Sequence, residues 1–226
     1  MHRKTAGPFI LFIFLCALTA CASAQKNELS FTVGAIHSSS QQITSTPIIC
    51  PATFPNCNNL FNFKFSTNVG VAFEGTYTRQ LFTFSGASLD LEIPVVRTLS
   101  RGSTFSFSPG PIPVDSFAPS VSSLFFTPSA RVKFFHSSPI SPFVSVGGGL
   151  AHLVESFPIG SSFSKNNGVL QFGGGADFKT PLPHLAVRAE VRDFWAQGIV
   201  KSSVGSQVSP EHQHNVFAGG GVVFRF

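Results

Sequence analysis

Large apolar side chains recur at every second position through most of this chain, the period of an extended strand whose successive side chains point to opposite faces. At the carboxy end Val216, Ala218, Gly220, Val222, Phe224 and Phe226 share one face, and Asn215, Phe217, Gly219, Gly221, Val223 and Arg225 share the other. Leu29, Phe31, Val33 and Ala35 predict a first strand. Phe61 to Tyr77 predicts a long second one, and after a link near Gln80–Ser85 a third runs over Ala87 to Val95. A fourth spans Phe126 to Phe134 and contains Pro128, which must fall where the ladder needs no donor. Val144–Leu150, Leu170–Phe178, Leu185–Val191 and the carboxy-terminal alternation bring the number to eight. No window keeps a helical period beyond a turn or two.

The segments between these strands alternate in length. Ser38–Asn59, Thr98–Ser123, Glu155–Asn167 and the polar stretch ending at His212 predict long loops, whereas Gln80–Ser85, His136–Ser141 and Thr180–His184 predict short turns. An even number of strands with long and short connections in turn predicts an all-β fold, an eight-stranded antiparallel up-and-down transmembrane β-barrel with long outer loops and short periplasmic turns.

Charge then assigns the faces. Glu74, Asp90, Glu92, Arg131, Lys133, Asp177, Lys179, Arg188, Glu190, Arg192 and Arg225 all lie opposite the large apolar residues, inside the expected barrel. Arg79, Arg97 and Asp193 break that parity at strand ends, within reach of water and headgroups. A lipid-facing Arg at mid-membrane costs about 2–4 kcal/mol and far less near the interface, so the pattern is the one such a cost selects. A soluble lipocalin-like barrel would show the same alternation with its faces exchanged. Only 11% of the residues are charged and the chain ends on an aromatic residue, which favours the membrane. Five inward carboxylates against six inward cations predict a paired network that plugs the lumen, with Asp90 and Glu92 beside Arg131 and Lys133, and Glu190 between the strands of Lys179 and Arg225.

The amino terminus is of another kind. His2-Arg3-Lys4, the apolar run Gly7–Ala20 and Ala22-Ser23-Ala24 have the three regions of a secretory signal. Residues 1–24 are therefore read as signal and 25–226 as barrel, with Gln25 the mature amino terminus. Leu18-Thr19-Ala20-Cys21 also fits a lipoprotein box, the competing reading. Of four cysteines, Cys50 and Cys57 remain after cleavage, and in an oxidising compartment they suggest a disulfide.

The mature chain resembles the small eight-stranded bacterial outer-membrane barrels, the outer membrane protein β-barrel domain family (OmpA/OmpX-like). The resemblance is carried by the strand rhythm, by Gly70-Val-Ala-Phe-Glu-Gly-Thr-Tyr77, by Val187-Arg-Ala-Glu-Val-Arg192 and by the closing Phe226. Gly221-x-x-Phe224-x-Phe226 is similar to the terminal insertion signal of that family, with a departure at Gly219, where a polar residue is usual. What the resemblance implies is a location in a Gram-negative outer membrane and a terminal strand read by the barrel-insertion machinery. The girdle is atypical, with one Tyr, one Trp and 27 Phe.

Candidate chemistry is sparse. The triplets Gly147–Gly149, Gly173–Gly175 and Gly219–Gly221 lie within strands and lack the helix and Lys-Ser/Thr of a phosphate loop, so they read as thin positions that make room for neighbouring inward side chains. Glu211, His212 and His214 have ligand chemistry but read as solvated loop residues. His37 with Ser39 and His136 with Ser138 lack the Asn that follows the His-x-Ser of some barrel lipid deacylases, and no enzyme is expected. Neither a cofactor nor a metal is expected, and the net charge of +5, partly from the signal, comes without the interleaved aromatics of a nucleic-acid binder. The expected partners are membrane lipid, lipopolysaccharide phosphate, the insertion machinery and loop ligands of unstated kind, for a monomer. A structural or surface-interaction barrel and a narrow pore remain as functions.

Intact-mass analysis of the exported protein should give a chain starting at Gln25 without acyl groups and with Cys50 and Cys57 linked. A diacylglycerol mass on Cys21 would support the lipoprotein box instead.

Overall fold

The computed structural model describes residues 27–44, 62–108, 119–136, 138–157, 160–197 and 212–226. The signal segment 1–24, Cys50, Cys57, Phe61 and Glu211 lie outside the described residues. Twelve strands follow in chain order: β1 (Asn27–Ser38), β2 (Gln41–Thr44), β3 (Asn62–Thr67), β4 (Gly70–Phe84), β5 (Ala87–Thr98), β6 (Arg101–Ser108), β7 (Ser120–Phe126), β8 (Ser129–Phe134), β9 (Ile140–Ser156), β10 (Ser162–Lys179), β11 (Leu185–Gln197) and β12 (His212–Arg225).

Eight walls close on themselves. Going round, β1 pairs with β4, β4 with β5, β5 with β7 and β8, these with β9, then β10, β11 and β12, which returns to β1; every pairing is antiparallel. Strands β7 and β8 form one wall, interrupted at Thr127–Pro128. Phe126 faces Val95 and Leu150, and Ser129 faces Glu92 and Gly147, so pairing resumes in the same register on both sides. Pro128 lacks a ladder donor, as does Pro94 on the neighbouring strand, and the local thinning of the ladder is the cost of the two prolines.

At the end where the long loops emerge the sheet runs on from β7 through β6, β3 and β2, which lie outside the closed wall, with Phe65 opposite Phe105 and Phe63 opposite Phe107. Several expectations change here. The stretch Phe61–Tyr77 is broken at Asn68–Val69 into β3 and β4, and only β4 enters the wall. Gln80–Ser85 is largely strand, because β4 continues to Phe84 through an irregularity between Gln80 and Phe82. Thr98–Ser123 holds β6 and the start of β7, and Glu155–Asn167 belongs mostly to a β9–β10 hairpin paired out to Ser156 and Ser162. The strands outside the expected runs are short or Ser-rich, and the alternation they hold, such as Phe105 and Phe107 in β6, is too brief to mark a membrane-crossing segment. Strands of 17 and 18 residues exceed the ~9–11 required to cross a bilayer, so β9 and β10 project beyond it.

The outward face is apolar, with Phe31, Val71, Val95, Val144, Phe172, Val191 and Phe224 exposed. Tyr77 and Trp195, the single residues of their kinds, mark opposite rims. Tyr77 donates its hydroxyl to Asn27 Oδ1 near the short turns (2.8 Å), and Trp195 packs against His212 near the long loops (4.4 Å between centroids). Each short turn contains one residue in the left-handed region: Gly86 (φ 84°), Phe135 (φ 50°) and His184 (φ 67°).

Closure depends on glycine at the β1–β12 seam. A Cβ on Gly221 would overlap the Phe31 carbonyl oxygen, and one on Gly34 would overlap that of Ala218. Substituting Val for Gly221 should therefore prevent closure even in detergent refolding without any machinery. By contrast Phe226→Ser should refold in detergent and fail in cells, if the terminal residue acts as a signal. The ratio of folded to unfolded protein in the two settings checks both statements.

Candidate functional site

The inward face near the short turns carries the charged side chains, in two linked clusters. Glu28, at the start of β1, anchors the first. Its Oε1 accepts hydrogen bonds from Lys133 Nζ (2.6 Å) and Arg225 Nε (3.0 Å), and its Oε2 from Arg131 Nη2 (2.6 Å). Arg188 grips Asp177 through Nε (2.7 Å) and Nη2 (3.2 Å). Asp177 Oδ2 also meets Lys133 Nζ (2.8 Å) and Arg225 Nη2 (3.2 Å). Asp90 accepts from Arg131 Nε (3.1 Å) and Nη2 (2.9 Å) on the strand directly opposite. The Phe143 ring lies under both guanidiniums, 5.2 Å from Arg131 and 4.8 Å from Arg188, in cation–π range. Gly175 makes room for that ring, since a Cβ there would press on its Cζ.

Arg192 centres the second cluster. Its Nη2 donates to Glu92 Oε1 and Glu190 Oε2 (2.9 Å each), and its Nε lies 3.1 Å from Glu74 Oε1. Glu92 joins the two, lying 3.7 Å from Arg131 and 3.8 Å from Arg188. The side chains of Arg131, Arg188 and Arg192 have no solvent exposure. Moving such ions out of water costs several kcal/mol each, and the cost is offset only because each cation meets two or more carboxylates.

Beyond the charges lies an apolar tier, which parity arguments about charge do not show. Ile36, Val96, Phe125, Phe194 and Phe217 are buried together, Phe125 stacking on Phe194 at 4.6 Å. A Cβ on Gly219 would strike the Phe217 ring, so this glycine too is a thin position beside an inward aromatic. At the long-loop rim a polar tier follows: Arg101 Nη2 donates to Ser38 Oγ, which donates to Asn215 Oδ1 (2.5 Å each).

No protein-family model matches the chain, and no curated protein matches its sequence. Solved structures do match. The outer membrane protein OprG of Pseudomonas aeruginosa aligns with a TM-score of 0.53 at 12% identity, over 90% of this chain and 96% of that one. Neisserial surface protein A aligns with a TM-score of 0.50 at 12% identity, over 88% and 97%. The fold is that of the eight-stranded outer-membrane barrels. At such identities the likeness is one of fold, and the chemistry has to be read from this barrel's own residues.

Ten of the expected lumen charges are brought together in this outer-membrane barrel fold: Glu74, Asp90, Glu92, Arg131, Lys133, Asp177, Arg188, Glu190, Arg192 and Arg225. Lys179, the last residue of β10, is solvent-exposed at the short-turn rim and lines the same opening as Glu28, Asp90 and Lys133. Glu190 pairs with Arg192 two residues along its own strand, not with Lys179 or Arg225, because β11 faces Gly175 and Gly219 at that level. Glu28 was missed, although it falls on the inward parity with Ser30 and Thr32.

Of the terminal signal residues, Gly221 sits against Phe31 on β1, Phe224 is exposed on the outward face, and Phe226 exchanges backbone hydrogen bonds with Asn27 (3.0 and 3.2 Å). His214 Nδ1 meets Asp193 Oδ2 at 2.6 Å on the outward rim. Among the described residues no group of three or more His, Cys, Asp or Glu is arranged to hold a metal ion. His37 lies at the long-loop rim and His136 at the opposite, short-turn end.

Removing a hub should cost more than removing a spoke. Arg192→Met leaves Glu74 and Glu190 without their cation and takes from Glu92 its nearest one, and should destabilise the folded barrel by about 3–5 kcal/mol. Glu190→Ala leaves Arg192 two carboxylates and should cost less, about 1.5–3 kcal/mol. Urea unfolding in lipid vesicles gives the order.

Proposed function

We propose that the protein is an integral β-barrel of a Gram-negative outer membrane with a structural or surface-interaction role, its lumen closed by its own side chains. The observation that carries this reading is the stacking of two sealing layers, the ion-paired tier around Arg131, Arg188 and Arg192 and the Phe125–Phe194–Phe217 tier beyond it. An ion-selective path is built from rings of one sign or from exposed carbonyls, whereas here opposite charges neutralise one another at every level of the charged half. The expected secretory signal and the apolar belt support the location. The insertion machinery is the partner implied by the terminal strand.

The surface-interaction part of the reading rests on what projects beyond the belt: the β9–β10 hairpin and the β2–β3–β6 sheet. These elements carry no lipid-facing requirement and are the parts of the chain at liberty to serve contact, with other molecules or with lipopolysaccharide phosphate through rim cations such as Arg97. Planar-bilayer recording from purified, refolded protein should show no steady conductance. Stable, ion-selective channels would overturn the closed reading in favour of the narrow pore.

A further inference from the structure

Pairing at every level of the lumen does not make the levels equal in count. In the cluster nearest the short turns four cations, Arg131, Lys133, Arg188 and Arg225, share three carboxylates, Glu28, Asp90 and Asp177. Even with all three ionised, one positive charge is left over. In the next cluster Glu74, Glu92 and Glu190 surround a single cation, Arg192. Glu92 links the two, but it lies nearer Arg192 (2.9 Å) than Arg131 or Arg188 (3.7 and 3.8 Å). These three acids are also deeper in the barrel. Glu92 is two residues beyond Asp90 on β5, Glu190 is two beyond Arg188 on β11, and Glu74 faces Thr32, four residues beyond Glu28 on β1. The network is therefore polarised along the barrel axis, with its positive end at the short turns. Because Coulomb energy falls with distance, a charge entering at that end responds first to the nearer cluster.

That end opens into a cavity of about 560 Å³, a volume in the range of small-molecule sites. No residue of the second cluster lines it. The groups within reach of a ligand are mainly cationic. Arg225 has 21% of its side chain exposed and Lys179, the last residue of β10, is solvent-exposed. The carboxylates of the lining are less accessible, Glu28 at 14% and Asp90 at 4%, and both already hold cations of the wall. Lys179 and Arg225 flank the β10–β11 turn: Lys179 faces Ala186, Ala186 faces Val223, and the Arg225 N–H donates to the His184 carbonyl (2.8 Å). Two strand spacings and two residues of offset set their Cα atoms roughly 12 Å apart, a span that two long side chains can close around one ligand group. The turn between them lines the cavity with Leu182, Pro183 and Leu185, so an apolar side adjoins the cationic one. We propose that the cavity binds a phosphate monoester with an apolar body, its phosphate between Arg225 and Lys179 and its apolar part against Leu182 and Pro183. Such a phosphate carries about −1.5 to −2 charges at neutral pH, which matches the surplus cation of the cluster together with Lys179. The site goes beyond the surface-interaction reading and stands whether or not the barrel conducts.

The test titrates phenyl phosphate into isotope-labelled barrel in alkyl maltoside micelles, which carry no phosphate, and follows amide chemical shifts. Saturable shifts are expected at Lys179, Thr180, Leu182 and Arg225. Benzyl alcohol, with the ring but no charge, and inorganic phosphate, with the charge but no ring, should each bind at least about tenfold more weakly, a loss of ~1.4 kcal/mol. Lys179→Glu alters an exposed position at the end of a strand, so it should keep the parent's thermal stability and abolish the saturable shifts. Leu182→Ser should weaken phenyl phosphate several-fold and leave inorganic phosphate as it was. Absence of saturable shifts up to the solubility limit would overturn the site. Equal binding of benzyl alcohol, or of benzoate, would overturn the phosphate assignment without recourse to any variant. Equal binding of inorganic phosphate would remove the apolar body. In nanodiscs containing phosphatidylglycerol the affinity should hold; its loss there would give the site to a lipid headgroup and overturn the soluble ligand.

Discussion

A sheet that crosses a membrane has no water to satisfy its edges, so the first strand must hydrogen-bond to the last. The rest of this structure follows from that closure. Pairing of β1 with β12 runs from Glu28–Arg225 to Ser38–Asn215 without a break. It brings together residues almost two hundred positions apart, and two ends of the chain that carry opposite charges. Glu28 and Arg225 are direct neighbours on the first rung, and their ion pair is also the entry to the lumen network. Closure and interior packing are thus one event. Until β12 arrives, Glu28 lacks Arg225, and the glycines at Gly34 and Gly221 have no backbone to approach.

Closing eight strands fixes the width of the interior, which is just enough for side chains to meet across it. In that width an Arg on one wall touches carboxylates on several others, as Arg192 on β11 does with Glu92 on β5 and Glu74 on β4. Larger barrels leave such charges solvated along a channel. Here the walls are close enough that each buried cation finds more than one partner, which is what makes so many ionised groups tolerable away from water. The same narrowness explains the inward glycines at 173, 175 and 219. Where an Arg192 stem or a Phe143 or Phe217 ring crosses the lumen, the facing position has to be bare.

The barrel was legible in the sequence to the extent that lipid imposes a pattern. Apart from Phe63 and Phe65 on β3, the outward apolar runs lie in the wall, and ten charges of inward parity meet inside it, as the cost of placing a charge in hydrocarbon requires. Outside the bilayer that cost vanishes and with it the pattern. This is why β6, the β9–β10 extension and the break between β3 and β4 were invisible, and why Arg101 seemed part of a loop while it is buried against Ser38. Register was invisible for a different reason. Alternation tells which face a residue takes but not its height in the barrel, so the Glu190–Arg192 pair and the segregation of Phe125, Phe194 and Phe217 into their own tier could not be seen. Glu28 was readable, since its parity matched.

The tiers have a consequence for where chemistry can occur. In the middle of the lumen every guanidinium is held by carboxylates of the wall, and any ligand there would have to compete with an ion pair it could not replace. Buried atoms without a hydrogen-bond partner occur along the lumen, among them Asp90 Oδ1 and Thr78 Oγ1 near the short turns, Glu74 Oε2 and Glu190 Oε1 beside Arg192, and Arg101 Nε and Thr67 Oγ1 near the long loops. The short-turn end also opens into a cavity lined by Glu28, Asp90, Lys133 and Arg225. An interior held together by ion pairs thus keeps its accessible polar groups at an opening, where a ligand can reach them without crossing the sealed middle of the barrel.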